Sequence, residues 1–205
     1  MHRSQLVAVV GLIALVGVVG TTFVVGGSNT TDRESAQTST GPADTPPPVA
    51  APDLPDRGLH PELLEIDGWL QSDVMSLEEL RGDVVAVQFW TFGCSNCRAT
   101  LPHMQELYAK YEDQGLEIVG IHAPEFGFEA EVDNIVDAAA DLGVSWPIVL
   151  DTNKRTFHSW QEGPTGHWPR IYLLDRKGHI RYDHIGEGRY DRTDAAVQAL
   201  LAEGG

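Results

Sequence analysis

Two cysteines two residues apart are the only ones in this chain of 205 residues, and they lie where a strand leads into a helix. Cys94 and Cys97 closely follow the apolar run 84–89, which is typical of a strand buried on both faces. Two thiols on the first turn of a helix can close a small disulfide ring and reopen it, so the spacing favours reversible two-electron exchange. The helix N-terminus places partial positive charge and free N–H groups beside the first sulfur, which favours its thiolate form. Cys94 is therefore the predicted nucleophile.

The remaining elements predict an α/β fold. Apolar residues recur at helical spacing behind the dithiol, Pro102 lies inside this helix, and Gly115 ends it. Further strands are predicted at 116–121, 147–150, 171–174 and 179–185, and further helices at 128–142, 153–160 and 192–201. One apolar face of the 128–142 helix should be buried, namely Val132, Ile135, Val136, Ala139 and Leu142. This order predicts a central mixed sheet with helices on both faces.

The N-terminal 27 residues contain an uncharged apolar stretch from Leu6 to Val25. Twenty residues at about 1.5 Å rise span the roughly 30 Å hydrocarbon core of a bilayer, so residues 1–27 are predicted to be a transmembrane anchor. A cleaved signal segment is the alternative, because the small residues 26–28 would suit a cleavage site. Arg3 precedes the stretch and no basic cluster follows it, which places the rest of the chain outside.

Composition divides the rest of the chain in two. Residues 28–57 are rich in Ser, Thr and Pro, which predicts a disordered linker, and residues 58–205 are long enough for one folded domain. The net charge of −16 argues against a nucleic-acid partner, which would require a basic face. Two cysteines allow at most one disulfide, so this is not the disulfide framework of a small secreted domain.

Taken together, these motifs resemble the thioredoxin-fold family over roughly residues 60–203. The resemblance rests on Phe89-Trp90 at the end of a strand, on Cys94-x-x-Cys97, and on Trp168-Pro169 before a late hairpin. The chain resembles more closely the membrane-tethered extracytoplasmic TlpA and ResA branch, and most of all the thioredoxin-like domain of DipZ-type proteins. That closer likeness is carried by the stretches 68–70, 77–82, 89–97, 120–126 and 186–188.

The resemblance implies a role for each matching position. Cys94 would attack the partner's disulfide, and Cys97 would then resolve the mixed disulfide. Pro169 would take the place of the family's cis proline, whose flanking backbone, with Trp168, meets the partner's chain. The residues around the dithiol would shape the site or contact the partner, namely Trp90, Phe92, Ser95 and Asn96. Among these we expect Trp90 to belong mainly to the core and Phe92 to reach the surface.

One position departs from the family pattern. Thioredoxins have a buried aspartate one residue before the Phe-Trp pair, where it serves proton transfer to the resolving thiol, and this chain has Gln88 there. An amide cannot accept a proton at neutral pH, so water or another carboxylate must do so. The candidate carboxylates are Glu65, Asp67 and Glu125. The ResA-type branch also lacks the aspartate and resembles this chain in using an upstream glutamate, to which Glu65 would correspond.

The resemblance implies an extracytoplasmic thiol-disulfide oxidoreductase that reduces disulfides in partner proteins. It would be anchored by its N-terminal helix, or secreted if that segment is cleaved. Electrons would come from a membrane thiol reductant of the CcdA or DsbD type. No metal and no cofactor are expected beyond the redox-active Cys94–Cys97 disulfide.

Three other functions remain open. A thiol peroxidase of the peroxiredoxin type is one, because Thr91-x-x-Cys94 fits part of that signature, although Val87 stands where its proline belongs. A copper-binding metallochaperone module is another, in which two thiolates and a histidine would hold the metal. A purely structural disulfide is the third, although a ring of four residues would stabilise little.

Overall fold

Six strands form one mixed sheet in the structure, a computed structural model that describes residues 52–161 and 165–204. The strands are β1 Gly68–Leu70, β2 Val84–Trp90, β3 Leu116–His122, β4 Ile148–Leu150, β5 Arg170–Leu174 and β6 Ile180–Ile185. Their order across the sheet is β1-β4-β3-β2-β5-β6. The neighbours β2, β3 and β4 run parallel, and the other three pairings are antiparallel. The edge strand β1, three residues long, was not foreseen from the sequence.

The described residues also form four α-helices and three short 3-10 turns, and all of these except the last helix lie between strands. The helices are α1 Ser95–Tyr111, α2 Val132–Asp141, α3 Arg155–Trp160 and α4 Tyr190–Ala202. The 3-10 turns are Leu77–Leu80, Glu112–Gln114 and Gly127–Ala130. Pro102 lies inside α1, as the sequence predicts.

The sheet separates the core into two apolar clusters, because successive residues of a strand point to opposite faces. Ala86 and Trp90 of β2 belong to the cluster that α1, α2 and α4 cover. Val87 and Phe89 belong to the cluster that α3 and the 3-10 turn Leu77–Leu80 cover. The predicted mixed sheet with helices on both faces is therefore confirmed.

The predicted apolar face of the 128–142 helix is partly wrong. Helix α2 begins only at Val132, after a separate 3-10 turn, and of the predicted face only Ile135 and Ala139 are fully buried. Val132 and Val136 are exposed. Ile135 and Ala139 are four residues apart, so they lie on one stripe of the helix, which packs into the core. Val132 and Val136 lie on the adjacent stripe, which is exposed to solvent.

The N-terminal predictions fall mostly outside the described residues. The predicted anchor, residues 1–27, lies wholly outside them, and within the described residues no helix is long and apolar enough to cross a membrane. The end of the predicted linker is described and contacts β6. Arg57 N–H donates to the Ile180 carbonyl at 3.0 Å, and the Arg181 Nε–H donates to the Leu54 carbonyl at 3.1 Å.

One edge of the sheet collects the segments that matter for chemistry. Because β2, β3 and β4 are parallel, their carboxyl ends meet there, with Trp90 paired to His122 and His122 paired to Leu150. The dithiol segment after β2, the loop after β3 and Asp151 after β4 therefore lie side by side. Open α/β sheets place their functional sites at this edge.

Gly120 of β3 makes room for two indole rings near this edge. A Cβ at Gly120 would stand 2.8 Å from Trp90 Nε1 and 3.1 Å from Trp146 Nε1, so one of the two rings would have to move. We expect Gly120→Ala to lower the free energy of unfolding by about 1–3 kcal/mol, the usual cost of overpacking a core. Urea unfolding of the full chain measures it.

Gly127→Ala is the matched control, because nothing lies within 4 Å of a Cβ built there. Its free energy of unfolding should stay within about 0.5 kcal/mol of the parent protein. Equal losses in the two variants would contradict the close approach at Gly120.

Candidate active site

Cys94 lies at the N-terminus of α1 and is half-buried. Its Sγ accepts a hydrogen bond from the backbone N–H of Cys97 at 3.4 Å, and its carbonyl accepts from the N–H of Arg98 at 3.1 Å. Both cysteines are free thiols, and the exposed residues Ser95 and Asn96 separate them. The first sulfur thus faces the N–H groups of the helix end and can also be reached from solvent, as an attacking thiol must be.

Cys97 is fully buried, in contrast to Cys94. Burial raises the pKa of the Cys97 thiol far above its usual value, because a thiolate loses solvation in an apolar core. The backbone N–H of Thr91 opposes this effect, and the negative charge of Glu125 adds to it by raising the pKa further. The two thiols therefore differ in access, and burial disfavours the thiolate form of Cys97.

The Trp168–Pro169 peptide bond is cis, as the resemblance implies. Arg170 pairs with Phe89, so Pro169 stands near the level of Trp90, where β2 ends and the dithiol segment begins. Trp168 is held from both sides: its Nε1–H donates to the Ala123 carbonyl at 2.9 Å, and its ring stacks on Phe157 with centroids 4.2 Å apart. Trp168 is partly exposed at this edge.

A buried glutamate that the sequence did not single out supports the dithiol segment. The Oε1 of Glu129 accepts from the N–H of Gly93 at 2.9 Å, and its Oε2 accepts from the N–H groups of Glu125 at 2.6 Å and Phe126 at 2.8 Å. A buried carboxylate needs such donors to offset its lost hydration. Glutamate is almost always exposed, so nothing in the local sequence separates Glu129 from its exposed acidic neighbours.

His122 is a second site residue that the sequence analysis did not single out. Its ring is fully buried between aromatic side chains, with its centroid 5.6 Å from that of Phe92 and 5.3 Å from that of Trp90. The distance between Thr91 Oγ1 and His122 Nε2 is 3.3 Å. Burial lowers the pKa of His122 to about 4, so the imidazole is neutral at pH 7.

The residues predicted to shape the site do so in different ways. Trp90 is fully buried, so it acts on the site from within the core and cannot touch a partner. Phe92 is partly exposed and stacks on His122, with its outer side available. Ser95 and Asn96 are exposed on the first turn of α1.

The candidates for proton transfer are placed apart. Glu65 is on the surface, with its side chain 70% exposed and in an ion pair with Arg155 at 3.1 Å. The Asp67 carboxylate accepts from the N–H of Thr152 at 3.1 Å. Glu125 is exposed and is a carboxylate whose charge acts on Cys97.

Gln88, in place of the family's aspartate, is fully buried on β2. Within the described residues both polar atoms of its side chain lack a hydrogen-bond partner, as do the indole nitrogens of Trp90 and Trp146. All three side chains lie on the sheet face that α1 covers. In the same part of the chain, no group of three or more His, Cys, Asp or Glu side chains is placed to hold a metal ion.

A central parallel strand that leads into a helix-capping thiol, a second buried thiol and a cis proline directly before the neighbouring strand β5 are typical of the thioredoxin-like class. A solved structure supports this at the level of fold. A thiol:disulfide interchange protein DsbE from Chlorobium tepidum superposes with a TM-score of 0.61 at 22% identity, over 72% of this chain and 99% of that one.

Comparisons of sequence assign the family. The model of the AhpC/TSA family matches residues 63–183, and the chain belongs to that family. It is 40% identical over 154 residues to protein DipZ of Mycobacterium tuberculosis, covering 74% of this chain but only 22% of DipZ. It is 30% identical over 131 residues to the thiol-disulfide oxidoreductase ResA of Bacillus anthracis, covering 64% of this chain and 71% of ResA. The chain is thus a thioredoxin-like member of the AhpC/TSA family and is similar to the thiol-disulfide oxidoreductase ResA.

The isosteric substitution Glu129→Gln tests the buried carboxylate. An amide presents only one acceptor oxygen to three N–H donors, so we expect the free energy of unfolding to fall by about 2–4 kcal/mol. Hydrogen exchange of the Gly93, Glu125 and Phe126 amides should accelerate beyond this global loss. Glu131→Gln, an exposed neighbour without a side-chain cap bond, should change stability by less than about 0.5 kcal/mol. Exchange at Gly93 as slow as in the parent protein would contradict the role of Glu129.

Two buried groups at the edge of the site, His122 and Asp151, should make the free energy of unfolding depend on pH in opposite directions. The pKa of His122 is about 4 in the folded protein against an ordinary 6.5, so the unfolded chain binds more protons between these values. The contribution of His122 is therefore present above pH 6.5 and falls as the pH drops toward 4. Burial raises the pKa of Asp151 from 3.8 to about 6, so its contribution grows as the pH falls through that interval.

Because these effects offset each other in the parent protein, single substitutions are needed to separate them. Between about pH 7.5 and pH 4.5 we expect His122→Gln to gain about 2–3 kcal/mol in free energy of unfolding relative to the parent, and Asp151→Asn to lose about 2 kcal/mol. Urea unfolding at both pH values measures the two slopes. Parallel pH profiles for all three proteins would contradict the burial of these groups.

Proposed function

We propose that the chain is an extracytoplasmic thiol-disulfide oxidoreductase that reduces disulfides in partner proteins through Cys94 and Cys97. The observation that carries this proposal is the asymmetry of the two thiols. Cys94 is accessible at a helix N-terminus, whereas Cys97 is fully buried with a raised pKa. An accessible attacking thiol beside a buried resolving thiol is suited to thiol-disulfide exchange in two ordered steps.

The proposed reaction balances without a cofactor. The Cys94 thiolate attacks one sulfur of the partner's disulfide, the Cys94–partner disulfide forms, and the partner's first thiolate leaves and takes up a proton. Cys97 then gives up its proton and attacks Cys94 Sγ, which releases the partner's second sulfur as a thiol. The partner gains two electrons and two protons, and Cys94–Cys97 becomes a disulfide.

The second step requires an acceptor for the Cys97 proton. Of the carboxylates predicted for this role, Glu125 is supported by its electrostatic action on Cys97, whereas Glu65 is engaged by Arg155. Gln88 is buried but is an amide, so it cannot serve as the acceptor. We therefore propose that Glu125, directly or through water, receives this proton.

The cellular setting is also part of the proposal. The uncharged stretch Leu6–Val25 and the likeness to the membrane-tethered branch support an N-terminal anchor with the domain outside, or secretion if that segment is removed. The reducing direction would require a membrane thiol reductant of the CcdA or DsbD type to return Cys94–Cys97 to the dithiol. The chain spans 22% of the length of DipZ, so the activity of that longer protein is not carried over.

Reduction of disulfides by the full chain tests the proposal. The reduced protein should reduce both the small neutral 2-hydroxyethyl disulfide and the interchain disulfides of insulin. Cys94→Ser should lose about a hundredfold or more in rate, because no attacking thiolate remains. Cys97→Ser should instead accumulate one mixed disulfide per chain on Cys94, detectable by mass spectrometry and released by dithiothreitol.

Three results would contradict this function. Faster consumption of hydrogen peroxide than of disulfides would indicate a thiol peroxidase. Stoichiometric retention of Cu(I) against a chelator, without disulfide reduction, would indicate a copper-binding module. A reduction potential near about −120 mV, that of strong oxidants, would overturn the reducing direction, for which we expect a value below about −200 mV.

A further inference from the structure

A pair of exposed phenylalanines stands beside the nucleophile. Phe126 and Phe128 are each 55% exposed, and their rings stack with centroids 6.0 Å apart and planes 5° apart. The edge of Phe128 meets the partly exposed ring of Phe92, with centroids 5.7 Å apart. We call Phe92, Phe126 and Phe128 the aromatic ledge.

The aromatic ledge adjoins the dithiol segment and is held firmly there. A Cβ built on Gly93, the residue before Cys94, would lie 3.6 Å from Cζ of Phe128. The Glu129 carboxylate bonds the N–H groups of both Gly93 and Phe126, so ledge and dithiol segment share one anchor. The carbonyl of Phe128 also accepts from Asn134 Nδ2 at 2.8 Å, which ties the ledge to α2. The exposed rings are therefore presented by an ordered turn.

Exposed aromatic rings in this number are unusual on a free surface. Scattered single apolar side chains need no explanation, but contiguous aromatic patches mark interaction sites. Aromatic side chains bring large apolar area to an interface at small conformational cost, which is why they dominate binding hot spots. The position of the ledge beside Cys94 indicates that whatever covers it arrives together with the reacting disulfide.

The charges around the aromatic ledge indicate which kind of partner surface can bind there. Exposed acidic residues surround the ledge in the sequence, namely Glu125, Glu131, Asp133 and Asp137. The chain has no lysine or arginine between Lys110 and Lys154, an interval that includes Phe126, Phe128 and α2. A complementary surface is therefore apolar at its centre and cationic at its margin.

We propose that the aromatic ledge is the docking surface for the polypeptide substrate, and that it selects disulfides flanked by a large apolar residue and by lysine or arginine. The inference rests on the proposed function, because it names the partner's chemistry at that same site. Docking on the ledge holds the partner's disulfide near Cys94 Sγ. The acidic residues around the ledge attract cationic segments of the partner, and added salt weakens this attraction by screening the charges.

Two synthetic peptides test the selection. Each carries one disulfide and the same sequence, except that the disulfide is flanked by Leu and Lys in one and by Leu and Glu in the other. The reduced full chain should reduce the Leu-Lys peptide about tenfold faster than the Leu-Glu peptide at low ionic strength. At about 0.5 M salt, where charges are screened within a few ångströms, the ratio should fall to about twofold or less.

Variants separate the apolar and charged parts of the surface. Phe126→Ser with Phe128→Ser should slow reduction of the Leu-Lys peptide about tenfold while leaving the 2-hydroxyethyl disulfide rate within about twofold. Glu131→Gln with Asp133→Asn should reduce the preference for Lys over Glu, and both peptides should still be reduced. Leu59→Ser is the matched control: Leu59 is 61% exposed and pairs with His179, at the far end of the sheet from the dithiol. It should leave every rate unchanged.

The outcomes distinguish this inference from the proposed function. Normal reduction of 2-hydroxyethyl disulfide with equal rates for both peptides would overturn the docking surface alone. No reduction of any disulfide would overturn the proposed function itself. Equal losses with peptide and small disulfide in the Ser variant would assign the rings a structural role. A dimer that sedimentation detects in the parent and not in the Ser variant would assign the ledge to a second copy of the chain.

Discussion

The Glu129 carboxylate accepts three backbone N–H groups from two separate segments, and the arrangement of the site depends on it. One of these groups belongs to Gly93, directly before the nucleophile, and the other two belong to the loop after β3. Hydrogen bonds to a buried anion are roughly twice as strong as neutral ones and fix both ends of the contact. The same carboxylate therefore sets the position of the dithiol segment and of the aromatic turn that stands beside it.

Burial provides the second constraint, because it separates two chemically identical side chains. Cys94 caps α1 at the edge of the sheet and can be reached from solvent, whereas Cys97 points into the core beneath the helix. The same desolvation that raises the pKa of Cys97 lowers that of His122, since in both cases the charged form is the costly one. The site consequently combines an accessible thiol with a buried thiol and a neutral buried imidazole.

Much of the fold could be predicted from the sequence because its central elements are strongly patterned. Apart from Gln88 the run 84–89 is apolar, which is typical of a strand covered on both faces, so the sheet centre and the dithiol at its end could be predicted directly. Weaker patterns failed. Strand β1 has only three residues, which is too short to show an alternating pattern. Val132 and Val136 on α2 were predicted to be buried but are exposed. Helical spacing shows which residues share a face of a helix, but it does not show how wide the buried part of that face is.

By itself the sequence determined where two cysteines stand behind an apolar strand, a spacing that favours reversible thiol-disulfide exchange, and the resemblance supplied the cis proline at Pro169. Only the tertiary structure decided which carboxylate is buried, which histidine is neutral and which phenylalanines stay exposed. The sequence does not distinguish Glu125, Glu129 and Glu131 from one another. Of these three, only Glu129 is buried and accepts hydrogen bonds from three N–H groups. The physical reason is that solvation depends on what distant segments place around a side chain, and parallel strands bring those segments together only once the sheet has formed.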